Sequence, residues 1–140
     1  MKAVIFARVS SVTDRQSTER QVVDLKNYAN KNDFQVVKVF EEKISGAKRN
    51  EEREILLECV DYCIINQIHT LLTSELSRVG RSTLQVLKTL DALHSNGINV
   101  YIQNLSLNTL TKDKEINPMT SIITTVMSEL YSIERGNIQY

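Results

Sequence analysis

Residues 3–11 read Ala3-Val4-Ile5-Phe6-Ala7-Arg8-Val9-Ser10-Ser11. Valine, isoleucine and phenylalanine dominate the run and no turn residue interrupts it, which predicts a buried strand over Ala3–Val9. Arg8 is the exception. A guanidinium near the end of a core strand is costly unless something anionic meets it there. Ser10 falls at the strand's carboxyl end, where open α/β sheets place their ligands. Arg8 and Ser10 share parity, so on a period-2 strand they face the same way. One face of one sheet edge thus carries a hydroxyl and a fixed positive charge.

Outward from this strand, the polar stretch Thr13–Thr18 leads into a helix expected from Ser17 to Asn30, with Val22, Leu25 and Ala29 at helical spacing and Val23 beside them. Asn32-Asp33 breaks it. A second strand, Gln35–Phe40, is rich in β-branched residues. The charged segment Glu41–Glu52, with its Ser45-Gly46 pair, reads as a mobile surface loop. Ile55, Leu56, Cys59, Val60, Cys63 and Ile64 define an amphipathic helix from Glu51 to Asn66. A third strand covers Ile68–Leu72, followed by the polar connection Thr73–Arg81. Ser82 and Gln85 form a capping box for a helix with the core stripe Leu84, Leu87, Leu90 and Leu93, ended by Gly97.

Ile98–Gln103 gives a fourth strand, and Leu105–Leu110 a short edge strand. Asn117-Pro118 starts a last helix. Run to Tyr140 from Met119 with no stop signal, it would span about 33 Å. It carries two apolar rows: Ile122, Val126, Leu130 and Ile133, and Ile123, Met127 and Tyr131. Core burial and a partner helix both account for that width. The alternation of strands and helices predicts an α/β fold with a mainly parallel central sheet of four to five strands, helices on both faces and a long C-terminal helix. Residues 1–140 are expected to form a single domain.

Seventeen Lys and Arg balance seventeen Asp and Glu, so no global basic signal for nucleic acid exists and any such function must come from local clustering. Cys59 and Cys63, one helical turn apart, read as buried thiols. Without a signal peptide or a membrane-length apolar run, the expectation is a soluble, cytoplasmic protein.

Three places for chemistry follow strands: Arg8 with Ser10, Ser45 with Arg53, and Arg78 with Arg81. In a parallel sheet these connections share the carboxyl edge. Arginine stays charged and presents a planar fork matched to phosphate oxygens, while phosphoryl transfer asks mainly for positioning and charge stabilisation. No Gly-x-Ser-x-Gly elbow, phosphate-binding glycine loop, dinucleotide fingerprint or metal-ligand cluster accompanies them. His69, in a strand, and His94, near a helix C-terminus, read as structural. From spacing alone the result is an anion-binding α/β domain.

The joint pattern resembles the catalytic domain of the serine recombinases, the resolvase/invertase family. Ala7-Arg8-Val9-Ser10-Ser11 looks like the nucleophile motif, with Gln16 and Gln21 at matching polar positions. Ser45-Gly46 followed by Arg53 is similar to the mobile-loop motif, Leu76-Ser77-Arg78-Val79-Gly80-Arg81 to the third motif, and Thr125–Arg135 to the helix through which subunits associate. The resemblance implies that Ser10 attacks a DNA backbone phosphate, leaving a 5′-phosphoserine link and a free 3′-hydroxyl before strands are exchanged and rejoined. It implies that Arg8, Arg53, Arg78 and Arg81 bind and activate the phosphate, with Gln21, Ser45 and Gln16 in support. Double-stranded DNA, a homodimer and an active synaptic tetramer are the implied partners, with no metal, nucleotide or membrane. Ser77 departs from the pattern, standing where many resolvases carry Asp, and the family's DNA-binding module, which normally follows the long helix, has no room within 140 residues. A non-enzymatic anion-binding or regulatory domain that dimerises through its last helix is the main alternative, and a serine hydrolase of small phosphoesters a weaker one.

Since counter-ion release by Lys and Arg supplies most non-specific DNA affinity, the balanced charge predicts that this chain alone binds duplex DNA weakly. Fluorescence anisotropy across a salt series checks this, and a nanomolar, salt-insensitive complex would contradict it.

Overall fold

The computed structural model describes residues 1–9, 18–43 and 54–136. Its sheet has the order β2-β1-β3-β4-β5, with β1 (Lys2–Val9), β2 (Gln35–Lys43), β3 (Thr70–Thr73) and β4 (Asn99–Ile102) parallel and β5 (Leu107–Asn108) antiparallel at the edge. Every residue of β1 from Ala3 to Val9 is buried. The central position explains the unbroken apolar run, because both faces of such a strand are covered. Ala3, Ile5 and Ala7 pack under α1 (Thr18–Lys31) against Val22, Leu25 and Ala29. Val4 and Phe6 face the opposite core with Leu56, Cys59, Val86 and Leu90. Arg8 therefore continues the second face.

The first helix, expected from Ser17, is described from Thr18 and runs to Lys31. Asp33 follows it at φ +58°, a left-handed residue that turns the chain into β2. Val23, one of its apolar positions, points to solvent. Over the end of the sheet, the rings of Tyr28 and Tyr101 stack at 3.8 Å.

The second strand corrects the expected loop at Glu41–Glu52. Pairing with β1 continues to Val9 opposite Lys43, so Glu41 and Glu42 belong to β2. Each carboxylate has a partner that the local sequence does not reveal. Glu41 Oε2 accepts from Thr18 Oγ1 at 2.7 Å, and the buried Glu42 accepts the backbone N–H of Ile55 at 2.8 Å. Glu42 thereby satisfies one of the orphan donors at the start of α2 (Ile55–Ile65), a helix shorter than the expected Glu51–Asn66. Leu56, Cys59 and Cys63 are its buried residues.

His69 does not lie within a strand; it precedes β3, is exposed, and places Nδ1 2.7 Å from Thr70 Oγ1. Helix α3 (Thr83–Ser95) has Ser82 as its N-cap, whose hydroxyl accepts from Gln85 N at 3.1 Å. The buried stripe is Val86, Thr89, Leu90 and Leu93, and the expected Leu84 and Leu87 are only half-buried. The stripe is rotated because α3 faces both the sheet and the last helix. Gly97, at φ +69°, follows the Asn96 cap in the left-handed conformation that ends such helices. His94 Nε2 lies 2.7 Å from Thr109 Oγ1, which also accepts from Val100 N, so this ring fastens α3 to the sheet edge.

The last helix, α4 (Pro118–Glu134), starts at the expected Asn117 cap, whose side chain accepts from Met119 N at 2.9 Å. It ends earlier than expected, at a stop signal the sequence reading passed over. Arg135 caps it and Gly136 adopts φ +69°, its N–H bonded to Ile133 O at 2.9 Å. Seventeen residues give about 26 Å rather than 33 Å. Ile123 and Met127 pack on the core, whereas Ile122, Val126, Leu130 and Ile133 are each about half exposed. No helix among the described residues is long and apolar enough to cross a membrane.

Burial, followed by the neighbouring Cys63 thiol, pushes the Cys59 thiol well above its ordinary pKa. Because both side chains are fully buried, and the Cys59 thiolate, its reactive form, is disfavoured as well, Cys59 and Cys63 are expected to resist an aromatic disulfide reagent at pH 8 and to react within seconds after denaturation. Absorbance of the released thiol checks this.

Candidate active site

The carboxyl end of β1 is held by an amide. Gln21 Oε1 accepts from Arg8 N at 3.1 Å, and Gln21 Nε2 donates to Arg8 O at 3.0 Å. The side chain of α1 thus takes the place of a strand partner where β3 has already diverged, since β1 pairs with β3 only from Ala3 to Ile5. This fixes the backbone one residue before the sequence reaches Val9-Ser10.

The Arg8 side chain leaves the sheet on the α2–α3 face and is 8% exposed. Its Nη2 donates to the backbone oxygen of Ser77, while Nε has no hydrogen-bond partner among the described residues. Desolvation lowers its pKa; the Glu42 carboxylate, its register partner on β2, opposes that, and Arg78 and Arg81 add repulsion. Arginine nonetheless stays protonated in proteins, so the result is a buried, partly compensated cation with a donor to spare.

The connection after β3 brings the other arginines. Leu76–Val79 forms a single 3-10 turn, with Val79 buried beneath it. Gly80 then passes so close to α3 that an added Cβ would lie 2.6 Å from Val86 N. Only glycine allows that approach, which seats the turn against the helix. Arg78 Nε lies 3.6 Å from Glu75 Oε1, and the Ser77 hydroxyl donates to the same oxygen at 2.7 Å. Arg81 Nε lies 3.6 Å from Glu54 Oε1, and Arg81 N donates to Gln85 Oε1 at 2.6 Å. Gln85 does not complete the expected capping box by bonding the N-cap residue; its carbonyl takes the N–H one residue earlier.

A cleft of about 500 Å³ opens between this turn, the start of α3 and the end of α4. Arg8, Ser77, Arg81, Thr83 and Glu134 contribute its polar lining. Thr83 Oγ1 lies 2.8 and 2.9 Å from the two carboxylate oxygens of Glu134, tying the last turn of α4 to the first turn of α3. Arg8, Arg78 and Arg81 are therefore brought to the carboxyl edge that their spacing after β1 and β3 led us to expect, and Gln21, singled out only by the family resemblance, joins them there. Ser10, Gln16, Ser45 and Arg53 lie outside the described residues. Among the described residues no group of three or more His, Cys, Asp or Glu is arranged to hold a metal ion.

Sequence reading missed the carboxylates Glu42, Glu54 and Glu75. A signal for Glu42 was present: a buried arginine demands a counter-charge, and the acidic pair Glu41-Glu42 follows directly on the strand that pairs with it. Glu54 and Glu75 gave none, because their partners are set by the packing of α2 and the 3-10 turn on α3. Chemically, the buried Arg8 and the one-third exposed Arg81 line one cleft, with Arg78 close enough to repel Arg8, an arrangement suited to a tetrahedral oxyanion.

Comparison with known proteins bears on the family and the fold. The model of the resolvase N-terminal domain matches residues 3–139. A "Resolvase" of Clostridium perfringens is 34% identical over 134 residues, which cover 95% of this chain and 64% of that protein; another, from strain 13 / Type A, is 31% identical with the same coverage. The chain thus spans somewhat under two thirds of the length of these relatives. Among solved structures, the N-terminal catalytic domain of TP901-1 integrase matches with a TM-score of 0.73 at 25% identity, over 99% of this chain and 100% of that one. A resolvase family site-specific recombinase from Streptococcus pneumoniae matches with a TM-score of 0.75 at 25% identity, over 98% and 89%. The chain belongs to the resolvase family, matching the family's N-terminal domain along almost its whole length.

Proposed function

We propose that residues 1–140 act as the catalytic domain of a site-specific DNA recombinase of the serine type. The observation that carries this is the convergence of Arg8, Arg78 and Arg81 at the sheet edge where the chain runs on to Ser10. Ser10 Oγ attacks the phosphorus of a DNA backbone phosphodiester, forming an O–P bond. The bond to the 3′ oxygen breaks, and that oxygen leaves as a 3′-hydroxyl after taking up a proton. The product is a 5′-phosphoserine link, and reversal with an exchanged 3′-hydroxyl rejoins the strands. Because the covalent link conserves the phosphodiester's free energy, the cycle needs neither metal nor nucleotide.

Each site residue has a role in this scheme. Arg8, with its shielded charge, holds a non-bridging oxygen, and Arg78 and Arg81 spread the charge that develops at phosphorus. Arg53 is assigned the same role on the family resemblance. Gln21 fixes the backbone that carries Ser10, and Gln16 and Ser45 make supporting contacts to the DNA phosphate. Sequence-specific contacts come from a separate DNA-binding module, in keeping with the balanced charge of these residues.

The exposed row on α4 supports assembly. Ile122, Val126, Leu130 and Ile133 lie on one side of a helix whose other side already packs on the core. A second copy of the same helix buries it in a homodimer, and two dimers form the tetramer in which strands are exchanged.

Incubated with a suicide DNA substrate, the full-length protein is expected to form a covalent adduct visible on a denaturing gel. Ser10→Ala removes the adduct, and Arg8→Gln lowers its rate about 100-fold, the scale of losing one transition-state donor. An adduct that survives Ser10→Ala overturns the nucleophile assignment. For the helix, Val126→Glu is expected to shift the chain from dimer to monomer in sedimentation velocity without altering its circular dichroism, because the residue is 53% exposed.

A further inference from the structure

The arginines of the site do not wait unoccupied. Arg81 lines two clefts at once: the one it shares with Arg8 and Ser77, and a second of about 570 Å³ between α2 and α3, which it shares with Glu54, Leu57 and Lys88. Its Nε faces Glu54 Oε1 at 3.6 Å, while Gln85 Nε2 donates to Glu54 Oε2 at 2.7 Å. Gln85 also accepts from Arg81 N at 2.6 Å, so one amide holds both members of the pair. Glu54 is the N-cap residue of α2, yet its side chain makes no capping hydrogen bond. A carboxylate able to satisfy its own helix instead reaches across to α3.

The two glutamates beside the site differ in how firmly they are held. Glu42 is 1% exposed and bonded to Ile55 N. It is a permanent counter-charge. Glu54 and Arg81 have side chains 22% and 33% exposed, and 3.6 Å is an ion-pair distance rather than a hydrogen bond. Partly exposed pairs of this kind are worth little, whereas a phosphate meeting a guanidinium fork makes two short charge-assisted bonds. The field of Glu54 extends to Arg8 as well, where it favours the charged form.

We infer that Glu54 is an internal counter-anion that parks Arg81 in the DNA-free protein, and that a phosphate reaching the Arg8–Arg81 cleft must displace this carboxylate. Glu54 is thus a positioning residue, acting through Arg81. Its presence keeps like charges compensated before substrate arrives, and weakens the capture of phosphates that bring no further contacts. The inference rests on the proposed function only in naming phosphate as the incoming anion.

The test uses the 140-residue chain and inorganic phosphate, titrated at constant ionic strength while the Arg81 Nε–Hε resonance is followed by NMR. Glu54→Gln keeps an oxygen for Gln85 and removes the charge. It is expected to tighten phosphate binding about three- to five-fold, the scale of a partly exposed ion pair. Should that variant unfold, Glu54→Asp, which withdraws the charge by one methylene, is expected to move affinity the same way by a smaller factor. Equal or weaker affinity, or an Arg81 resonance that phosphate moves in neither protein, would mean that Glu54 only staples α2 to α3, and the inference falls. With a suicide DNA substrate, Glu54→Gln in the full-length protein is expected to raise the initial rate of adduct formation. If no variant forms an adduct on a verified site but phosphate binding still tightens, the recombinase reading fails and the counter-anion stands. If adducts form while Glu54→Gln changes neither rate nor affinity, the counter-anion alone is wrong.

Discussion

A guanidinium at the end of the central strand constrains everything near it. Arg8 sits where a purely apolar residue would pack without penalty, and an isolated buried charge would cost several kcal/mol even after relaxation. The surrounding elements are arranged to meet that demand. Strand β2 extends past its apolar part to set Glu42 opposite Arg8, Gln21 reaches down from α1 to hold the Arg8 backbone, and the 3-10 turn after β3 offers the carbonyl of Ser77. Removing Glu42 would leave a buried cation without its compensation, the situation in which broken pairs cost about 3–5 kcal/mol. An apolar residue here would ask for none of these partners, so the fold alone does not account for the guanidinium.

Glu42 joins two levels of the structure. The same carboxylate that balances Arg8 accepts the first free N–H of α2, so the start of that helix is tied to the charge state of the site. The next residue toward the N-terminus, Glu54, is then delivered to α3, where Gln85 and Arg81 receive it. At the other side of the cleft, Glu134 closes the end of α4 on Thr83. Both helices that border the arginines are thus pinned by glutamates to the first turn of α3. Movement of α4, whose outer face is apolar and half exposed, would be felt at the cleft through that contact.

Much of this was legible in the sequence because it rests on local signals. The run Ala3–Val9 announces a central strand, Asn117-Pro118 the start of α4, and Gly97 the end of α3. Strand parity sets the Arg8 side chain on the face that Val4 and Phe6 share, but which helices cover that face is decided by packing. What failed was decided by contacts distant in sequence. Glu41 and Glu42 look like loop residues until Thr18, Ile55 and Arg8 surround them. The buried stripe of α3 was misplaced by part of a turn because periodicity gives an amphipathic face but not which neighbours share it. The end of α4 is a different kind of miss: Gly136 is a local stop signal, and the expected helix ran past it to Tyr140.

Overall neutrality fits the same logic at larger scale. A site of several arginines on a chain with equal numbers of acidic and basic residues must be balanced somewhere. Here the balance is local, with Glu42 beside Arg8, Glu54 beside Arg81 and Glu75 beside Arg78. Long-range attraction to DNA is correspondingly small, because paired charges seen from beyond a Debye length of about 8 Å nearly cancel. At contact distance the three carboxylates differ, since Glu54 and Glu75 are partly exposed and Glu42 is buried. Under the proposed function, selection by these residues rests on desolvation and geometry rather than on net charge.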